Sequence, residues 1–179
     1  MELKTKGESV YVAIEKLVAK LSWTVGADFD LAAVWVPRTG EPGLTYFGEK
    51  GDMNSFPFMQ LDKDSGVGDK AGANEETLRI TKLTDMKYVY IVCWDYKAVQ
   101  SGSKARFAGT DVKLVLTDNT GTSHQTKLDT GDMGNVAVVA TIDTTDPIGP
   151  KLVNTSKVGT LKKWDKTAFP DLLAIVNAP

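Results

Sequence analysis

The chain has one cysteine and one histidine in 179 residues, and these two scarcities exclude much site chemistry at once. Cys93 alone closes no internal disulfide and builds no Cys-x-x-Cys knuckle; one histidine and one cysteine are too few ligands for zinc. Cys93 stands inside Val-Tyr-Ile-Val-Cys-Trp, where a buried, inert thiol is expected. His124 lies in the polar stretch Thr122-Ser-His-Gln-Thr126, where a solvent-facing imidazole is expected. No G-x-S-x-G elbow is present to supply the serine of a triad. There is no Walker loop, and Gly66-Val-Gly68 lacks both the third glycine and the following helix of a dinucleotide fingerprint. Together these gaps predict a protein that is not an enzyme. A hydrolase would have to rest on carboxylates around a metal.

A dominant charge and a long apolar run are also missing. A formal net charge of -2 gives no general attraction to nucleic acid or to an anionic membrane, and neither partner is expected. The longest apolar runs, such as Tyr88 to Trp94, fall far short of a membrane span, and Met-Glu-Leu-Lys-Thr-Lys opens no signal-like core. A cytoplasmic protein is expected. Hydrophobic content of 42% and charged content of 25% are ordinary for a globular protein, and one domain over residues 1–179 is expected.

What is present is a succession of short alternating segments. Val10, Val12 and Ile14, then Leu17, Ala19, Leu21 and Trp23, repeat with a period of two and read as strands. Phe29 to Val36 reads as another, closed by the proline- and glycine-rich Pro37 to Gly43. Thr45 to Phe47 and Phe56 to Leu61 are short apolar pieces, the second kept irregular or at an edge by Pro57. Thr77 to Ile80 resumes the alternation, and Tyr88 to Trp94 has the composition of a central strand buried on both faces. Residues 96–109 read as a loop. Asp111 to Thr117 and Thr122 to Leu128 form a hairpin about Asp118-Asn-Thr-Gly121, and Asn135 to Ile142 is the last strong strand. Thr144 to Pro150 is a stiff connector. A helix is expected only at the end, with Pro170 in its first position and Leu172, Leu173, Ile175 and Val176 inward. The prediction is an all-β antiparallel β-sandwich of two sheets with a short C-terminal helix.

The stretch from Asp62 to Glu76 holds five carboxylates, one amide and three glycines. Hard cations such as calcium take several oxygen ligands, and glycines let backbone carbonyls turn inward. The spacing is not that of an EF-hand, since Val67 stands where its glycine belongs and Ala73 where its glutamate belongs. From the residues alone, a solvated acidic loop is the plainer reading. Asp28 and Asp30 bracket the first residue of the Phe29 strand and project to one side of it.

Trp23, the Asp28-Phe-Asp30-Leu31 motif, and an acidic glycine loop closing in Asn74-Glu75-Glu76 before a strand resemble the TerD family. Those are calcium-binding stress proteins named for tellurite resistance. The resemblance covers most of the chain and implies a β-sandwich holding calcium at one end. Carried over, it implies Asp28, Asp30, Asp62, Asp69, Asn74, Glu75 and Glu76 as ligands, with Gly66 and Gly68 shaping the loop. Two departures each remove a negative charge: Ala32 stands where the family commonly has a third aspartate, and Asn74 replaces another. The function implied is a non-catalytic calcium-binding scaffold linked to stress response, with protein partners. The alternative is a structural or accessory subunit of a larger assembly, such as a virion, built on the same fold.

Asp95, Asp129 and Asp132 are candidates for a second ion, though turn chemistry explains them as well. Trp23, Trp35 and Trp94 are expected in the core and Trp164 exposed. Lys162, Lys163 and Lys166 around Trp164 read as a solvated edge strand rather than a nucleic-acid contact.

Overall fold

The computed structural model describes residues 1–12, 16–24, 29–62, 74–102, 105–107, 110–165 and 168–178. In chain order the strands are β1 (Glu2–Leu3), β2 (Ser9–Tyr11), β3 (Leu17–Trp23), β4 (Phe29–Pro37), β5 (Gly43–Thr45), β6 (Gly51–Asp52) and β7 (Met59–Leu61). They continue with β8 (Asn74–Ile80), β9 (Met86–Asp95), β10 (Ala105–Arg106), β11 (Lys113–Asp118), β12 (Ser123–Lys127), β13 (Met133–Gly134), β14 (Val136–Asp143) and β15 (Lys151–Gly159). Helix α1 (Tyr96–Ser101) follows β9, and α2 (Ala168–Asn177) closes the chain.

Two sheets face each other. The first has seven strands in the order β1-β12-β11-β3-β8-β7-β6, the second six in the order β2-β15-β14-β9-β4-β5, and β10 pairs with β13 apart from both. Among the described residues only β1 and β12 pair in parallel. The expected antiparallel sandwich with a C-terminal helix is therefore the architecture observed. Its edges are short: β1 and β6 have two residues, β2 and β5 three.

Alternation decides which side chains fill the space between the sheets. In β3, Leu17, Ala19, Leu21 and Trp23 are buried, whereas Lys20 is exposed. In β9, Val89, Ile91 and Cys93 enter this inner core while Val92 and Trp94 enter a second one on the outer face. That second core lies beneath α2, whose Leu172 and Val176 are buried. Burying both faces of β9 explains its continuous apolar composition. The first sheet has no helix packed on its outer face among the described residues, and that face stays polar.

Several local expectations need correction. The acidic residues Asn74, Glu75 and Glu76 belong to a strand, paired in register with Trp23, Ser22 and Leu21 of β3, and not to a loop. Helix α1 occupies part of the segment read as a loop; Asp95 caps it by accepting from Ala98 N at 3.1 Å, and Gly102 closes it in the left-handed region at φ 65. Pro170 is the third residue of α2, still within the first turn where backbone N–H groups have no helical partner. Lys162 and Lys163 lie outside any strand, and Lys166 lies outside the described residues. Trp164 is half-buried and stacks on Trp94 with ring centroids 4.6 Å apart.

Strand β15 was not among the expected strands. Its inward positions include Asn154 and Ser156, both buried, so a polar pair sits where apolar residues would announce a strand. Thr155 and Ser156 together face the single residue Val139, a bulge in which Ser156 takes a φ of 41. Asn154 Nδ2 donates to Leu3 O and to Lys127 O, each at 3.0 Å, so one buried amide holds β1 and β12 to the second sheet.

His124 also departs from expectation. It faces inward opposite Leu116 and is only 8% exposed, with no hydrogen-bond partner for Nδ1 among the described residues. Burial, and then the amino group of Met1, hold its pKa below the usual value, while Asp118 opposes them.

Candidate functional site

The strand entrance and the acidic stretch meet on β4. Strand β5 pairs only with Ala33, Val34 and Trp35, so the first residues of β4 extend beyond its reach. There Glu76, pointing inward from the first sheet with Leu78 and Ile80, spans the sandwich: its Oε2 accepts from Leu31 N at 2.5 Å. The adjacent residue, Asp30, lies on the opposite side of β4 with Ala32 and Val34, and its Oδ2 accepts from Trp94 Nε1 at 3.1 Å. Both carboxylates are 7% exposed. Burying an ionised carboxylate is costly unless it is hydrogen-bonded or paired, and here each takes a hydrogen bond from a neutral donor.

A third carboxylate comes to the same end. Asp95 stands opposite Phe29 in the register of β9 with β4, one position from the Trp94–Asp30 pair. Between these groups lies Cys93, wholly buried; burial pushes its thiol up strongly, and the negative charges of Glu76, Asp30 and Asp95 push it further. This thiol does not ionise near neutral pH and is no nucleophile. Aromatic rings close the core here: Trp23 meets Phe29 edge-on at 5.5 Å, and Phe29 stacks on Phe107 at 5.7 Å.

The remaining implied ligands part company. Asp62 is engaged on the outer face, where Arg79 Nε and Nη2 donate to its two oxygens at 3.0 and 3.1 Å. Glu75 also faces outward and pairs with Lys20 at 3.4 Å. Asn74 begins β8 opposite Trp23. Asp28 and Asp69 lie outside the described residues, as do Gly66 and Gly68. Among the described residues no group of three or more Asp, Glu, His or Cys side chains converges tightly enough to hold a metal. Alternation carried back from Ile80 and Leu78 assigns Glu76 to the inner face, a signal that the acidic run around it disguises.

Two of the second-ion candidates are explained locally: Asp95 is a helix cap, and Asp129 Oδ2 accepts from Lys6 N at 2.9 Å. At Asp132 the backbone N–H is engaged, donating to Thr130 Oγ1 at 3.1 Å.

No protein-family model matches the sequence, and no curated protein does. Solved structures do. A homologue of the telluride resistance protein TerD, SCO6318 from Streptomyces coelicolor A3(2), is similar with a TM-score of 0.57 and 13% identity over 88% of this chain and 95% of that one. The protein SAV2460, described as of unknown function, is similar with a TM-score of 0.55 and 15% identity over 82% of this chain and 92% of that one. The fold is TerD-like. No described helix is long and apolar enough to cross a membrane.

Proposed function

We propose that this chain is a non-catalytic, calcium-binding scaffold of the TerD kind, serving a stress response linked to tellurite resistance. The observation that carries the reading is the buried negative charge at the entrance of β4, where Glu76 of β8 reaches Leu31 N from the inner side, Asp30 lies on the outer side, and Asp95 stands opposite Phe29. Negative charge gathered at a buried strand end suits a hard divalent cation, and calcium accepts the irregular oxygen geometry that two sheets would supply. Asp62 and Glu75, each held by a cation on the outer face, are left out of this ligand set. Asp30 and Glu76 would supply that negative charge from the two sides of β4. Calcium would supply fixed positive charge that draws the strand entrance and the start of β8 together, giving protein partners a rigid end to recognise.

Thermal unfolding with calcium, and again with excess chelator, tests this. A ligand that binds only the folded state at 100 times its dissociation constant adds about 2.7 kcal/mol, enough to raise the midpoint by several degrees. Asp30→Asn and Glu76→Gln keep acceptor oxygens for Trp94 and Leu31 while removing the charge, and each is expected to abolish the shift. No shift in the parent at millimolar calcium, or a shift retained in both variants, overturns the assignment. An assembly subunit built by strand addition is less well supported, because edges of two or three residues offer little backbone to a neighbour.

A further inference from the structure

The bare outer face of the first sheet carries a cross-strand row whose charges are poorly matched. Lys127 of β12 stands directly opposite Lys113 of β11, and Lys113 directly opposite Ser22 of β3. Directly opposed side chains have Cβ atoms about 5 Å apart, and like charges placed so destabilise a sheet. Neither lysine has an ion-pair partner among the described residues. The row runs through a cleft of about 430 Å³ that also takes in Gln125, one row along on β12. It continues past Thr110 and Gly131 into a broader groove sharing Lys127.

Two of the three acids bordering the cleft are paired with cations, and the third, Asp111, is held by neutral donors and keeps its charge. Glu2 pairs with Lys4 at 3.5 Å and Glu75 with Lys20 at 3.4 Å. Asp111 accepts from Thr24 N at 2.9 Å and from the Thr24 hydroxyl. What is left facing the cleft is two ammonium groups against the one Asp111 carboxylate, with the Ser22 hydroxyl and the Gln125 amide beside the lysines on neighbouring strands. The two opposed lysine charges outweigh the single Asp111 carboxylate and, with neutral donors beside them, suit a compact oxyanion with several acceptor oxygens.

We propose that Lys113 and Lys127, assisted by Ser22 and Gln125, bind a phosphate dianion, either free or as the head of a small phosphate monoester. The dianion relieves the repulsion between the lysines, so the apo sheet carries a strain that the bound one does not. This site is separate from the calcium reading and stands if that reading fails.

The test is a nitrogen-15 NMR titration of metal-free protein with inorganic phosphate in one arm and methyl phosphate in the other. Saturable shifts at Ser22, Lys113 and Lys127 are expected, with the tighter arm naming the source. Lys113→Gln and Lys127→Gln should each weaken binding at least tenfold, while Lys162→Gln leaves it unchanged. Both cleft variants should melt no lower than the parent without phosphate, which separates lost binding from lost folding. No saturable shift at millimolar concentrations of either anion, or unchanged affinity in both cleft variants, overturns the proposal.

Discussion

Glu76 and Leu31 belong to different sheets, yet the carboxylate of one accepts from the backbone N–H of the other at 2.5 Å in the interior. The bond replaces a strand neighbour that β5 is too short to supply, so a side chain from across the sandwich completes the backbone of β4.

Removing that acceptor should be costly and specific. Glu76→Ala leaves Leu31 N buried without its acceptor, and a loss of about 1–3 kcal/mol is expected. Glu76→Gln, which keeps an oxygen there, should lose less. Urea unfolding of the two variants in chelator, compared at equal m-value, separates the hydrogen bond from any effect of calcium.

Acid should weaken the fold through His124. Its pKa is lowered in the folded state, mainly by burial, so below the ordinary value near 6.5 the unfolded chain takes the proton first. Stability from this group is full above that pH and falls as pH drops through the folded value. Thermal midpoints between pH 7.5 and 5 should therefore decline, and His124→Leu should flatten the decline. An equal decline in that variant would assign the effect to other groups.

Asn154 ties the N-terminal strand to the body of the protein. Asn154→Leu removes two donated bonds, to Leu3 O and Lys127 O, and the acceptor for Ser156 Oγ at 2.5 Å. A loss of at least about 2 kcal/mol is expected, from several buried groups left unpaired at once. Hydrogen exchange should accelerate in β1 and β12 before it does in β9; uniform acceleration would mean that the amide has no local role.

Trp164→Ala should open the outer core. The ring stacks on Trp94 and meets Tyr46 at 5.3 Å, so truncation removes the cover over that end of the second sheet. A cost of about 2 kcal/mol is expected, below the 3–5 typical of a fully buried tryptophan, because Trp164 is only half-buried. Loss of the exciton signal of the tryptophan pair in circular dichroism would accompany it. Unchanged stability would mean the ring is merely adherent.

The strands that could be read from sequence are those whose alternation is written in apolar residues: β3, β4, β11, β14, and β9 with its unbroken run. β15 escaped because Asn154 and Ser156 occupy inward positions that the register makes buried, and a bulge interrupts the period. α1 escaped because six residues carry too little periodicity, although Asp95 and Gly102 mark both its ends. His124 is hidden for a related reason: its neighbours in sequence are polar, while the strand's parity turns it inward. At the candidate site, Asp30 and Glu76 were named from a motif, but the strand pairing decides that they reach β4 from opposite sides. The same alternation sends Glu75 away from them.

Strand β9 is paired on both edges and covered on both faces, touching the inner core through Ile91 and the outer one through Trp94. Its amides can meet solvent only when the whole molecule opens, so their exchange rates give a built-in gauge of global stability. Against that gauge the rest of the chain can be sorted: a ligand that slows β8 and the start of β4 but leaves β9 unmoved tightens one end, while one that slows all three stabilises the entire fold.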